Sequence, residues 1–369
     1  MNERMQITIL GLSMSSSWGN GHATNYRGLT RELLQRGHDV HFIERDRPWY
    51  AENRDLAGHL SAHVELYSSI EELKDRFSVA VRESDLVVVG SYVPDGVEVA
   101  RWVLNEARGV TAFYDIDTPV TLAKLERGDH EYLAPDLIPD FDLYLSFAGG
   151  ASLRALVERY GSPMPRPFYC CFDPHEYWPE EPRELRWDLA YLGTYSHDRQ
   201  PPLDRLMLEP ARRWPEGRFA VFGPQYPDSL QWSPNVERDP HLSPGLHQGF
   251  YCAQRFTMNV TRADMIQAGH SPSVRLFEAA GCGTPIISDY WTGLEEFFEL
   301  GTEILVSRSP EETLGYLQAM PEEERLQVGR RGRRRALHSH TAGHRAAELE
   351  DHVHEAMERR AERVAAGRD

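Results

Sequence analysis

No stretch of this sequence is apolar for long enough to span a bilayer: runs such as LVVVG at 86–90 fall far short of the roughly 20 residues needed. The opening MNERMQITILG lacks the basic, apolar and small-residue layout of a secretory signal and leads straight into a strand pattern, so a cytoplasmic protein is expected. Cysteine is scarce. Of the four, Cys170 and Cys171 are adjacent, while Cys252 and Cys282 lie far apart; neither a disulfide framework nor metal-ligand spacing results, and reduced thiols are expected. Positive charge is in deficit, with 40 Lys and Arg against 57 Asp and Glu and a net charge of −17. That balance gives no general attraction to phosphate backbones, so nucleic acid is not an expected partner. No GxGxxG follows the first strand of either half, which argues against a dinucleotide-dependent oxidoreductase.

What is present is a repeated alternation. At 369 residues the chain exceeds what one core usually organises. MQITILG reads as a strand, TNYRGLTRELLQRG as a helix, DVHFIERD as a strand, SIEELKDRF as a helix, SDLVVVGSY as a strand, DGVEVARWVLNEA as a helix and VTAFYDIDTP as a strand. DFDLYLSFAG, SLRALVERYG and PFYCCF continue the series. A proline-rich, aromatic connection covers 163–182, after which the alternation restarts at WDLAYLGTYSH and runs through RFAVFGP, FTMNVTR and TPIIS to EILV. Strands separated by helices imply parallel sheets covered on both faces, and two series imply an α/β protein of two Rossmann-like domains facing across a cleft. The expected boundaries are 1–170, 171–339, and a closing helix at 340–369 that packs back on the first domain.

The densest motif is SPSVRLFEAAGCGTPIIS at 271–288. Ser271 is placed to cap a helix with Pro272 at its first position, leaving the amides of Ser273 and Val274 exposed at a positive helix start, a natural seat for phosphate. Arg275 and Glu278 share one helix face, either as a surface ion pair or as ligand contacts. VRLFEAAGCGTPIISD resembles the donor-site signature of the retaining GT-B glycosyltransferases of the family-4 type. That resemblance implies that Glu278 binds the ribose of a nucleoside-diphosphate sugar and that the backbone at Ser273 and Val274 holds the diphosphate. It also implies an acidic residue eight positions before the glutamate; here that position is His270, which leaves the stereochemistry open. The arrangement of the whole chain, including FYDIDTP and YLGTYSHDR, is most similar to CgeB-like (spore maturation protein) glycosyltransferases, and the terminal helix of this fold is expected to cross back to the first domain.

Three further segments supply candidate groups. In WGNGHATNY, Gly19, Asn20 and Gly21 form a candidate acceptor or phosphate loop after the first strand, and His22 is a candidate general base. Asp115 and Asp117 alternate at the end of a strand, pointing the same way if the chain stays extended; acceptor binding or support of His22 is preferred to metal binding. In YLGTYSHDR, Gly193 opens a loop and Arg199, with Arg275 as the other candidate, would face the diphosphate. The arginine run at 330–335 reads as a solvated helix face, and His338, His340, His344, His352 and His354 as surface residues rather than a metal tract.

Together these expectations describe a metal-independent glycosyltransferase with no cofactor beyond its nucleoside-diphosphate sugar, acting on a small-molecule, glycan or protein acceptor. A nucleotide-sugar 2-epimerase and a catalytically silent structural protein on the same fold are the alternatives.

Overall fold

The structure is a computed structural model that describes residues 4–18, 21–56, 58–180 and 185–367. The chain divides into two compact units: one comprises residues up to Cys170 with those from Ala342 onward, and the other spans Cys171–Thr341.

The first unit holds a parallel sheet of seven strands: β1 (Gln6–Gly11), β2 (Asp39–Arg45), β3 (Val64–Tyr67), β4 (Leu86–Gly90), β5 (Val110–Asp115), β6 (Leu143–Ser146) and β7 (Pro165–Pro167). Their order is β3-β2-β1-β4-β5-β6-β7, with Ile9 of β1 opposite Phe42 on one side and Val88 on the other. All five residues of β4 are buried, as befits a central strand covered on both faces. The helix Ile70–Glu83 shows how local sequence builds the covering layer. Ser69 caps it by accepting from the Glu72 amide at 3.2 Å, Glu72 reaches back to the Ser68 amide at 2.8 Å, and Ile70, Leu73, Phe77 and Val81 form its buried stripe.

The last helix, Ala342–Ala365, belongs to this unit. Its buried Glu350 accepts from Arg36 Nε and Nη2 and from His38 Nε2, each at 2.7 Å. The Met5 amide donates to His38 Nδ1 at 3.1 Å, so the imidazole proton sits on Nε2. Farther along, Arg360 and Arg363 reach Asp142 at 2.7 and 2.6 Å. Met5, Asp39 and Asp142 lie at the amino ends of their strands, so this helix braces the sheet at the end away from the candidate loops.

The second unit repeats the topology with six parallel strands: β8 (Trp187–Leu192), β9 (Phe219–Phe222), β10 (Val236–Asp239), β11 (Gln254–Asn259), β12 (Ile286–Ser288) and β13 (Leu305–Val306). The order β10-β9-β8-β11-β12-β13 is the same winding, reversing direction between β8 and β11. Three strands carry no clear signal in the sequence: β3, the three-residue edge strand β7 and the half-polar β10. PFYCCF is mostly not a strand, since β7 stops at Pro167 and Phe172 makes only an isolated bridge to Thr341.

Two readings of the polar C-terminal third need correction. His340 is buried and stacks on Phe277, with ring centroids 4.5 Å apart, because the chain turns inward between the helices Glu322–Ser339 and Ala342–Ala365. In the arginine run, Arg330, Arg331 and Arg334 are exposed, but Arg333 donates to the Gly281 carbonyl at 3.1 Å and Arg335 to Glu303 at 2.8 Å. Gly329 before the run and Gly332 within it set the packing: a Cβ on Gly329 would stand 2.2 Å from the Gly283 carbonyl oxygen, and one on Gly332 2.7 Å from that of Glu303. Among the described residues no helix is long and apolar enough to cross a membrane.

Candidate functional site

In an open parallel α/β sheet, ligands gather at the carboxyl ends of the two strands where the winding reverses. In the second unit these ends are Leu192 of β8 and Asn259 of β11, and one side chain spans them. Arg275 donates Nε to the Leu192 carbonyl at 2.6 Å and Nη1 to Asn259 Oδ1 at 2.8 Å, with its guanidinium 4.6 Å from the Tyr191 ring centroid. Asn259 Oδ1 also accepts from Ser273 Oγ at 2.8 Å, and its Nδ2 donates to Ser288 Oγ at 2.9 Å. Beside it, buried Asp289 accepts from the Thr261 amide at 2.9 Å and hydroxyl at 2.8 Å, while burial pushes its carboxyl above the usual range.

The helix of the sequence motif runs Val274–Gly281, two residues later than expected. Its N-cap is Ser273, not Ser271, and Pro272 lies outside, because the first helical turn closes with Leu276 N–H on the Ser273 carbonyl at 3.1 Å. The amides of Val274 and Arg275 are therefore those that a helix start leaves for an outside acceptor. Ser271 is buried behind this turn.

Arg275 and Glu278 do not pair, although they lie on one face. Glu278 is buried, and it accepts from the Tyr177 hydroxyl at 2.9 Å and the Tyr251 hydroxyl at 3.1 Å. Burial first, and the Glu278 charge second, push both phenols well above their ordinary range, which keeps them as donors.

Gly193 lies against the guanidinium. A Cβ there would stand 2.6 Å from the Tyr191 hydroxyl and 2.8 Å from Arg275 Nη2. Tyr226 donates to the Gly193 carbonyl at 3.3 Å and lies within electrostatic reach of Arg238, Arg199 and Arg275. Arg199 spends two donors on its own loop, Nε on Ser196 Oγ at 3.0 Å and Nη2 on the Thr194 carbonyl at 2.8 Å. Of the two cations considered from sequence, Arg275 is the one built into the switch point. His270 stands on the loop before the helix with φ of 48°, its Nδ1 3.0 Å from Glu296 Oε2.

The first unit holds the other candidates. Gly19 and Asn20 lie outside the described residues; Gly21 is exposed, its carbonyl accepting from Thr24 Oγ1 at 3.1 Å. His22 caps the helix Ala23–Gln35, and its half-buried ring lies 6.0 Å from Phe147. The loop after β1 is held by buried Glu44, which accepts from the Met14 amide at 2.6 Å and the Ser15 amide at 3.0 Å. Those two amides are thus occupied by a carboxylate of the chain itself.

Asp115 and Asp117 do not continue an extended strand. β5 ends at Asp115, and Asp117 turns with ψ of 46° to cap the helix Thr118–Glu126. Asp115 is wholly buried, accepting from the Tyr144 hydroxyl at 2.6 Å, Thr121 Oγ1 at 2.8 Å and the Asp117 amide at 3.2 Å; burial raises its pKa to about 6. Asp117 accepts from the Tyr92 hydroxyl at 3.0 Å. Phe147, whose amide donates to the Asp115 carbonyl at 3.0 Å, links this turn to His22. Among the described residues no three His, Cys, Asp or Glu side chains gather as metal ligands.

The two sheets together define a fold class, two Rossmann-like parallel α/β units of the GT-B architecture. Residues 199–351 match the family described as glycosyl transferase-like. No curated protein matches the chain. Among solved structures, Anabaena HepE in complex with UDP-glucose superposes with a TM-score of 0.71 at 13% identity, covering 96% of this chain and 100% of that one. Sucrose-phosphate synthase from Thermosynechococcus elongatus gives 0.68 at 13% identity, covering 95% and 99%. An alpha-glucosyltransferase in complex with UDP-glucose and DNA containing an abasic site gives 0.70 at 12%, covering 95% and 100%. At these identities the likeness is one of fold: two parallel α/β units.

Proposed function

We propose that this chain transfers a hexosyl group from a UDP-sugar to an acceptor hydroxyl or amine, with the second unit as the donor-binding unit. The observation that carries the reading is Arg275, a buried cation fixed by both strand ends of the switch point and standing at the start of the helix Val274–Gly281. A diphosphate there meets the guanidinium and the first helix amides at once. The structural neighbours in complex with UDP-glucose support UDP as the nucleotide. Within the class, FYDIDTP and YLGTYSHDR support a place beside the CgeB-like enzymes.

When the bond between the sugar and the diphosphate breaks, its electron pair leaves with the UDP. Arg275 and the amides of Val274 and Arg275, fixed before the sugar nucleotide arrives, would receive that charge without reorganising, so this reading needs no metal and no further cofactor. Glu278, held by Tyr177 and Tyr251, accepts from the ribose hydroxyls. His22 of the first unit takes the acceptor proton, and Asp117 with its donor Tyr92 is assigned to acceptor recognition. With a net charge of −17 the chain offers a nucleic-acid backbone no broad attraction, which supports a small-molecule, glycan or protein acceptor.

A panel of nucleoside-diphosphate sugars, scored for nucleoside diphosphate released with water as the default acceptor, tests the reading. Release from a UDP-hexose, lost in Arg275→Ala, is expected. A protein that neither binds nor cleaves any member of the panel contradicts it, and a new sugar epimer formed without acceptor would replace it with epimerisation.

A further inference from the structure

The loop that leads into the donor helix is strained around one histidine. His270 is a non-glycine residue in the left-handed region (φ 48°), a conformation that persists only where the surroundings enforce it. Three contacts enforce it here. The His270 amide donates to the Thr292 carbonyl at 2.7 Å, and Glu296 on the short helix Leu294–Phe297 brings Oε2 to 3.0 Å from His270 Nδ1. Between them Gly293 (φ 96°) leaves the imidazole its room, since a Cβ at that position would fall 2.5 Å from Nδ1. Two segments distant in sequence are therefore shaped to present one carboxylate to one ring nitrogen. The imidazole is three-quarters buried while Glu296 is half exposed, so this is not an interior ion pair that burial alone would demand.

We propose that Glu296 is a positioning residue for donor-sugar recognition: by accepting Nδ1–H it fixes the His270 tautomer that keeps a lone pair on Nε2, which accepts a hydrogen bond from a hydroxyl of the transferred sugar. This rests on the donor reading above. The ring nitrogen that carries the proton is set by the partner of the other nitrogen, so without Glu296 the proton is distributed over both and the acceptor is lost part of the time. The ligand end follows from the order of groups in a sugar nucleotide. The diphosphate separates ribose from sugar; Glu278 lies within the helix on the ribose side, whereas His270 flanks the helix start from the preceding loop.

The test compares wild type with Glu296→Ala, Glu296→Gln and Glu296→Asp, measuring UDP and UDP-glucose affinity by calorimetry, UDP release by steady-state kinetics, and melting temperature. In Glu296→Ala, UDP affinity stays within about twofold of wild type while UDP-glucose turnover falls roughly tenfold, the scale of one hydrogen bond to a charged or oriented partner. Glu296→Asp restores part of that loss, and Glu296→Gln, which can face Nδ1 with either its oxygen or its nitrogen, falls between. Wild-type turnover in Glu296→Ala overturns the proposal, as does an equal loss of UDP and UDP-glucose affinity, which would mark the pair as a loop brace alone. Failure of the wild-type protein to bind UDP strikes the donor reading itself, visible before any variant is compared, and removes this proposal with it.

Discussion

Arg275 Nη1 donates to Asn259 Oδ1 at 2.8 Å, joining the first turn of one helix to the carboxyl end of the strand beside the switch point. The same oxygen accepts from Ser273, so one amide orients both the cation and the helix cap.

Asn259→Ala is expected to unfasten this arrangement, leaving Arg275, Ser273 and Ser288 each short of a partner in a buried site. The cost in stability is roughly 1–3 kcal/mol. Asn259→Asp keeps the acceptor toward Arg275 and Ser273 but cannot donate to Ser288, so it should lose less nucleotide affinity than Asn259→Ala. Calorimetry with UDP and a thermal melt on each variant check the order.

Glu278 joins the donor site to the connecting segment through Tyr177 and to the helix His247–Cys252 through Tyr251. Glu278→Ala should weaken nucleotide-sugar affinity by about 1–3 kcal/mol through loss of charged hydrogen bonds. Tyr251→Phe removes one of the two donors that orient the carboxylate and should reproduce a smaller part of that loss. Unchanged affinity in Glu278→Ala rejects the ribose contact.

Asp115 gives a prediction with a sign. Its folded-state pKa of about 6 lies above the usual carboxylate value, burial being the cause, so the folded protein holds this proton more tightly than the unfolded chain does. The stability this group contributes is complete below the unfolded value near pH 4 and is lost as the pH rises through about 6, up to about 3 kcal/mol in all. Asp115→Asn no longer titrates. The stability of wild type relative to the variant, measured by urea unfolding, should therefore decline between about pH 4 and pH 7; a flat difference contradicts the buried placement.

Gly329→Ala tests a packing contact behind the donor helix. The added methyl meets the Gly283 backbone oxygen, which cannot rotate away, so a loss of roughly 1–3 kcal/mol is expected from overpacking, read as a lowered melting temperature. Gly315→Ala, where a Cβ meets nothing, is the control and should not destabilise.

Much of this architecture is legible in the chain because its core strands are short apolar runs bounded by glycine, as in LVVVG and FAVF, with amphipathic helices between them. Two edge strands escape notice: β7 is a three-residue PRP, and β10 reads VERD with Val236 its one buried residue. In the site, Arg275, Glu278 and His270 stand out because they surround a helix start with a recognisable spacing. Asn259, Tyr177, Tyr251 and Glu296 do not, because their roles depend on which strand ends and loops the topology brings together, and no local pattern records that. The one weak signal is Asn259 itself, a buried amide ending the strand QRFTMN. Asp115 and Asp117 do not share an extended strand for a local reason, since β5 ends at Asp115, two residues before Asp117, which caps the next helix.

The central claim is that the second unit receives a sugar diphosphate on Arg275. Calorimetric titration of UDP-glucose into wild type and Arg275→Ala, with both proteins shown to be folded by thermal melt, tests it most directly. Saturable one-to-one binding to wild type that falls by roughly 2 kcal/mol or more in the variant is the predicted result; equal affinity of the two proteins, or no binding by wild type, would contradict it.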